Sequence, residues 1–116
     1  MKNLLILAIF FGTLSINAQE TIEGLWNTGK ENTIVEIKKN NDSYEGVIVS
    51  SENSKAPVGK KLIKDVVETN EGYTGKLYAA KKDKWMDANF VVKEEILVLE
   101  VGSGLRKKSI EWEKAK

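Results

Sequence analysis

Short runs of alternating hydrophobicity, separated by turn residues, constrain the fold of this chain more than any other feature. The clearest run is 85–92, in which every second residue from Met86 to Val92 is apolar, as is typical of a strand with one buried face. Glycine, asparagine and charged residues lie between the runs, and these residue types favour turns. The pattern predicts an all-β fold, a small antiparallel up-and-down β-barrel of about eight short strands. The predicted strands are 21–27, 33–39, 44–50, 62–67, 73–79, 85–92, 96–101 and 105–113.

One of these segments, 62–67, is ambiguous. Its apolar residues Leu62, Ile63, Val66 and Val67 have a spacing that fits a helical stripe as well as a strand. The paired valines and the short length favour a strand. Periodicity alone leaves both structures open.

The first eighteen residues have the features of a secretory signal peptide. Lys2 supplies a positive charge, residues 4–14 form an apolar run, and Ala18 is a small residue at the expected cleavage point. The apolar run is too short to span a bilayer, which takes about 20 residues. We therefore expect residues 1–18 to be removed and residues 19–116 to form one barrel domain. The protein would be exported, periplasmic or extracellular, without a membrane span after cleavage.

Charge and composition exclude several classes of function. The chain has 18 basic and 17 acidic residues, and removal of Lys2 would leave a net charge near zero. This balance argues against nucleic-acid binding and against electrostatic docking to a membrane. The chain has no cysteine and no histidine, so disulfides, thiol chemistry and the usual zinc ligands are excluded. We predict no catalytic residue, metal site or cofactor, and no sequence feature indicates an oligomeric state.

Several short motifs recur in a recognisable order along the chain. They are Gly24-Leu25-Trp26, Gly46-Val47-Ile48-Val49, the segment 57–62, the segment 73–78 and a terminal Trp112. In this order the chain resembles the bacterial family of exported proteins catalogued as domain of unknown function 2147, over essentially all of 19–116. It departs from that family at Ala79-Ala80, where members carry Asp-Pro, and at Lys114, where many carry arginine. The family has no established activity to carry over.

The Gly-x-Trp opening is also similar to the signature of lipocalins and calycins. That resemblance implies that Gly24 and Trp26 close one end of the barrel, with the indole packed against an arginine of the last strand. Arg106 is the only arginine and lies on the predicted last strand. A guanidinium stacked on an indole contributes about 0.5–2 kcal/mol. The alternative is that Arg106 is a solvated surface charge.

One face of the predicted strand 85–92 combines an aromatic ring, a carboxylate and an amide. Trp85, Asp87 and Asn89 share this face, and Tyr78 lies on the preceding strand. Such a cluster suits a small polar-aromatic or sugar-like ligand, and these four residues are the candidate binding site. The alternative is the ordinary outward face of a half-buried strand.

Three functions follow from these patterns. The first is a non-enzymatic, lipocalin-like barrel that binds a small molecule or envelope component in its mouth or interior. The second is a structural or protein-interaction module of the cell envelope. This function is favoured over the first if side chains fill the barrel interior. The third is a carboxylate-dependent hydrolase. Its candidate acids are Asp65, Asp83, Asp87 and Glu100.

Overall fold

The protein is a closed antiparallel barrel of eight strands, which confirms the predicted fold class. The computed structural model describes residues 21–102, 105 and 107–115. Each strand pairs with its neighbour in the chain, and the first pairs with the last, so the sheet closes on itself. The strands are β1 (Gly24–Asn27), β2 (Ile34–Asn40), β3 (Ser43–Ser50), β4 (Lys61–Thr69), β5 (Gly72–Ala79), β6 (Lys84–Lys93), β7 (Ile96–Val101) and β8 (Lys108–Lys114). The predicted signal peptide and Arg106 lie outside the described residues.

The barrel interior is occupied by the apolar side of each strand. On β6, for example, Ala88 and Phe90 are buried while Asp87 and Asn89 are exposed, as the alternation predicts. Among the described residues, fifteen buried apolar side chains form one continuous cluster. They are Ile22, Trp26, Val35, Ile37, Ile48, Ile63, Val66, Tyr73, Leu77, Ala88, Phe90, Leu97, Leu99, Val101 and Trp112. Each large aliphatic side chain buried in this way contributes about 1.5–3 kcal/mol.

The ambiguous segment 62–67 belongs to β4 and contains a β-bulge. Two residues, Asp65 and Val66, face the single residue Gly75 on β5. Asp65 takes the left-handed conformation with a φ of 57°. Because the extra residue interrupts the alternation, Ile63 and Val66 both point inward although they are three residues apart. The helix-like spacing in the sequence is therefore the signature of a bulged strand.

The two ends of the barrel differ in their connections. At one end, two-residue turns join β2 to β3, β4 to β5 and β6 to β7. At the other end, the connections 28–33, 51–60, 80–83 and 102–107 are longer. We call this second end the loop end. In the part of the chain that the structure describes, no helix has the length and hydrophobicity to cross a membrane.

The seam between β1 and β8 is the shortest pairing in the barrel. Only two residue pairs join these strands, Trp26 with Lys114 and Asn27 with Glu113. By contrast, β5 and β6 are joined by seven pairs, from Tyr73–Phe90 to Ala79–Lys84. The closure of the sheet consequently depends on the residues around Trp26.

Candidate functional site

The four predicted binding residues lie on the outer face of β5 and β6. The strand register places Tyr78 opposite Trp85, Lys76 opposite Asp87 and Thr74 opposite Asn89. These three cross-strand pairs form one row, because alternate residues of a strand share a face. The structure thus brings Tyr78, Trp85, Asp87 and Asn89 to one surface, on the outside of the barrel wall.

The aromatic pair stands next to the loop end. The ring centroids of Tyr78 and Trp85 are 5.5 Å apart with an interplanar angle of 65°, an edge-to-face arrangement. Such pairs contribute about 0.5–1.5 kcal/mol beyond the area they bury. Both side chains are only partly buried. They therefore leave aromatic surface available at the protein exterior.

Two lysines of the β3–β4 connection and β4 cover these rings. The Nζ atom of Lys60 lies 4.3 Å from the Tyr78 ring centroid, and that of Lys64 lies 4.4 Å from the Trp85 centroid. Both distances fall within the range of cation–π attraction. Neither lysine was predicted as part of the site, because only the pairing of β4 with β5 and of β5 with β6 brings them over these rings.

Two aspartates complete the surface, each with its own partner. Asp83 accepts a hydrogen bond from the Tyr78 hydroxyl, and this bond raises the pKa of Tyr78 because it favours the protonated phenol. Asp87 accepts a bond of 2.5 Å from the Lys76 ammonium, which raises the pKa of Lys76. The Lys76–Asp87 pair is exposed, and solvent screening makes exposed pairs contribute little to stability.

A shallow depression opens beside Trp85. Its volume is about 240 Å³, below the roughly 300–1,000 Å³ of pockets that enclose a drug-sized ligand. A depression of this size can hold one part of a ligand, with the remainder on the surrounding surface. It is lined by Lys76, Lys84, Trp85, Met86, Asp87 and Gly102.

These side chains form a mixed aromatic and ionic surface, which we call the outer-face cluster. Its aromatic members are the partly buried pair, and its ionic members are four lysines and two aspartates. The cluster comprises Lys60, Lys64, Lys76, Tyr78, Asp83, Lys84, Trp85 and Asp87.

Gly24 and Trp26, two of the residues predicted to close the barrel, lie at the end opposite the loop end. Trp26 is fully buried, and its Nε1 donates a 2.9 Å hydrogen bond to the carbonyl of Ile22. Gly24 has a φ of 137°, a conformation that favours glycine. The cation against the indole is Lys114, whose Nζ lies 5.2 Å from the ring centroid. Arg106 is outside the described residues, so its predicted role stays a prediction.

Two tyrosines lie at this same end. Tyr73 is buried, and its hydroxyl accepts a long hydrogen bond, 3.4 Å, from the backbone N–H of Ile22. Tyr44 packs edge-to-face on Tyr73, with centroids 5.6 Å apart. Burial raises the pKa of both phenols, since it disfavours the charged form. Together with Trp26 they hold Ile22 over the barrel end.

The acids named for a hydrolase are surface residues. Asp65 is the exposed bulge residue and Glu100 is exposed on β7. Asp83 and Asp87 are engaged by Tyr78 and Lys76. Among the described residues, no group of three or more acidic side chains is placed to hold a metal ion.

The fold and the site define a small lipocalin-like barrel with a packed interior and an aromatic and ionic outer surface. No family model matches the chain, and no curated protein or solved structure is significantly similar to it.

Proposed function

We propose that this protein is an exported, non-enzymatic barrel that binds a small ligand or envelope component on the outer face of β5 and β6. The binding residues are Tyr78, Trp85, Asp87 and Asn89. The observation that carries the proposal is the partly exposed aromatic pair beside a depression, within a row of cross-strand pairs whose other members are polar. Aromatic surface with nearby polar groups suits ligands that have both apolar faces and hydroxyls.

The outer surface is preferred to the interior because of how the interior is packed. Ten large inward side chains, Trp26 and Phe90 among them, are less than 2% exposed. Interiors of this kind have the packing density of organic crystals and leave few voids. A ligand inside the barrel would have to displace this core, whereas the outer-face cluster needs no such rearrangement.

Export is part of the proposal and rests on the sequence. The apolar run 4–14 and Ala18 favour cleavage after residue 18. Intact-mass analysis of protein recovered from the periplasm or medium should give a chain that begins at Gln19. Recovery of the uncleaved chain in the cytoplasm would contradict this part of the proposal.

The ligand proposal is tested by native mass spectrometry of the protein purified from its own cell envelope. We expect a small molecule to co-purify with the wild-type protein and to be lost in Trp85→Ala. Leu25→Ala is the matched control, since Leu25 is also a partly exposed apolar side chain and lies on β1, whose neighbours are β2 and β8 and not β5 or β6. A molecule that Trp85→Ala still retains would contradict the proposed site.

The second candidate function is a protein-interaction module, and two exposed side chains at the loop end favour it. Val58 is 66% exposed, and Leu105 is fully exposed. Exposed apolar side chains can serve as contacts for a partner protein. In the same mass spectra, a stoichiometric second protein that is lost in a Val58→Ser, Leu105→Ser double variant would support this alternative.

A further inference from the structure

We infer that the ligand of the outer-face cluster is an acidic saccharide, one whose sugar rings carry carboxylates. This inference rests on the proposed function and assigns the chemical class of ligand that the same surface would take. The reasons lie in three kinds of group that the cluster presents together.

The first reason is that cations without carboxylate partners surround the aromatic pair. Lys60 and Lys64 lie over the rings, and Lys84 lines the depression with Trp85. Among the described residues, ion pairs within 4.0 Å are made by Lys61 with Glu45 and by Lys76 with Asp87. The ammoniums of Lys60, Lys64 and Lys84 are therefore available to an anionic ligand.

The second reason is the presence of hydrogen-bond acceptors among these cations. Asp83 and Asp87 carry carboxylates, which only accept hydrogen bonds when ionised. They can bind sugar hydroxyls, which are donors. A ligand with both hydroxyls and negative charges matches the lysines and the aspartates at once.

The third reason is the geometry of the aromatic pair. Tyr78 and Trp85 are inclined at 65°, so they do not form two parallel faces for successive stacked bases. Trp85 alone borders the depression and can offer its apolar surface to the C–H face of one sugar ring. Asn89 lies on the same face of β6, about 13 Å from Trp85 along the strand, within reach of a neighbouring sugar.

Trp85 also provides a specific signal for the test. The chain has three tryptophans, and Trp26 and Trp112 are 0% and 5% exposed. Acrylamide quenching of fluorescence therefore reports mainly on Trp85. The probes are oligogalacturonate and the same oligomer with every carboxylate methyl-esterified, which differ in charge but share their rings.

We expect oligogalacturonate to protect Trp85 from acrylamide and the methyl ester to protect it much less. Raising the salt concentration should weaken the protection, because salt screens exposed charges. Lys64→Gln should weaken binding about two- to fivefold, as expected for one exposed charge pair. Lys38→Gln is the matched control, because Lys38 is an exposed lysine on β2, across the barrel from β6. Thermal melts of both variants show that the fold is retained.

Three results would overturn the inference. Equal protection by the methyl ester would mean that the surface does not recognise the ligand's charge. The proposal that β5 and β6 form a binding surface would then still stand. Tighter binding of oligothymidylate than of oligogalacturonate would identify a nucleic-acid site instead. If no oligomer protects Trp85, the acidic-saccharide class is wrong. The co-purification experiment with Trp85→Ala then decides separately whether the surface binds any ligand.

Discussion

Replacement of Gly75 by alanine should strongly destabilise the barrel. A Cβ atom at this position would lie 2.6 Å from Val66 Cγ2, 2.8 Å from Val66 Cα and 2.9 Å from the Lys64 carbonyl oxygen. Two of these three atoms belong to the backbone of the β4 bulge, which cannot move aside without disturbing its strand pairing. Overpacking typically costs about 1–3 kcal/mol. We expect the free energy of unfolding to fall by about 2–3 kcal/mol, at the upper end of that range.

Gly46→Ala is the matched control for this prediction. Its Cβ would meet Ile63 Cβ, Val35 Cγ1 and Ile37 Cγ1, at 3.0, 3.1 and 3.3 Å, so each neighbour has to move by only a few tenths of an ångström and none of these three atoms belongs to the backbone. We therefore expect a loss of about 1 kcal/mol or less. Neither glycine has a positive φ, so the comparison isolates the steric effect.

Urea unfolding followed by circular dichroism measures both losses, and the melting temperature of Gly75→Ala should fall by about 10–20 °C. If Gly75→Ala were no less stable than Gly46→Ala, the close approach of the bulge to β5 would be refuted.

Three further predictions concern other parts of the barrel. Trp26→Phe should lower the free energy of unfolding by about 2–3 kcal/mol, because it leaves the buried carbonyl of Ile22 without its donor; a loss below about 1 kcal/mol in urea unfolding would contradict this role. Asp65→Gly should leave stability within about 0.5 kcal/mol of wild type, whereas Asp65→Val should lose about 1–2 kcal/mol, because a β-branched residue is strained at positive φ. The hydrogen bond to Asp83 favours the protonated phenol of Tyr78, so its stabilisation is present below pH 10 and is lost as the pH rises through the raised pKa. In absorbance titrations at 295 nm, Asp83→Asn should shift ionisation of Tyr78 to lower pH, and an unchanged titration would exclude this bond.

The fold could be predicted from sequence wherever strands are regular. The alternation in 85–92 identified the buried face of β6, and the dense apolar run 96–101 identified β7. In such strands each side chain is assigned to a face by a period of two. The same alternation placed Trp85, Asp87 and Asn89 together on one side, which the strand geometry requires.

The remainder could not be predicted, because it depends on contacts between strands. An inserted residue at Asp65 changes the face of everything that follows it on β4. Lys64 lies over the Trp85 ring because of the register between β4, β5 and β6, for which the sequence contained no local signal. Similarly, Lys114 lies against Trp26 because of the β1–β8 register, which no local pattern encodes.

The short seam between β1 and β8 has a consequence for how the protein forms. It joins Trp26 on the first strand to Lys114 on the last. These residues are far apart in the sequence, so we expect their contact to form slowly during folding. A nascent chain cannot complete this pairing until Lys114 has been synthesised and has crossed any membrane it must traverse. Until then β1 lacks its β8 partner beside Trp26, and the unpaired edge of the growing sheet is accessible to chaperones.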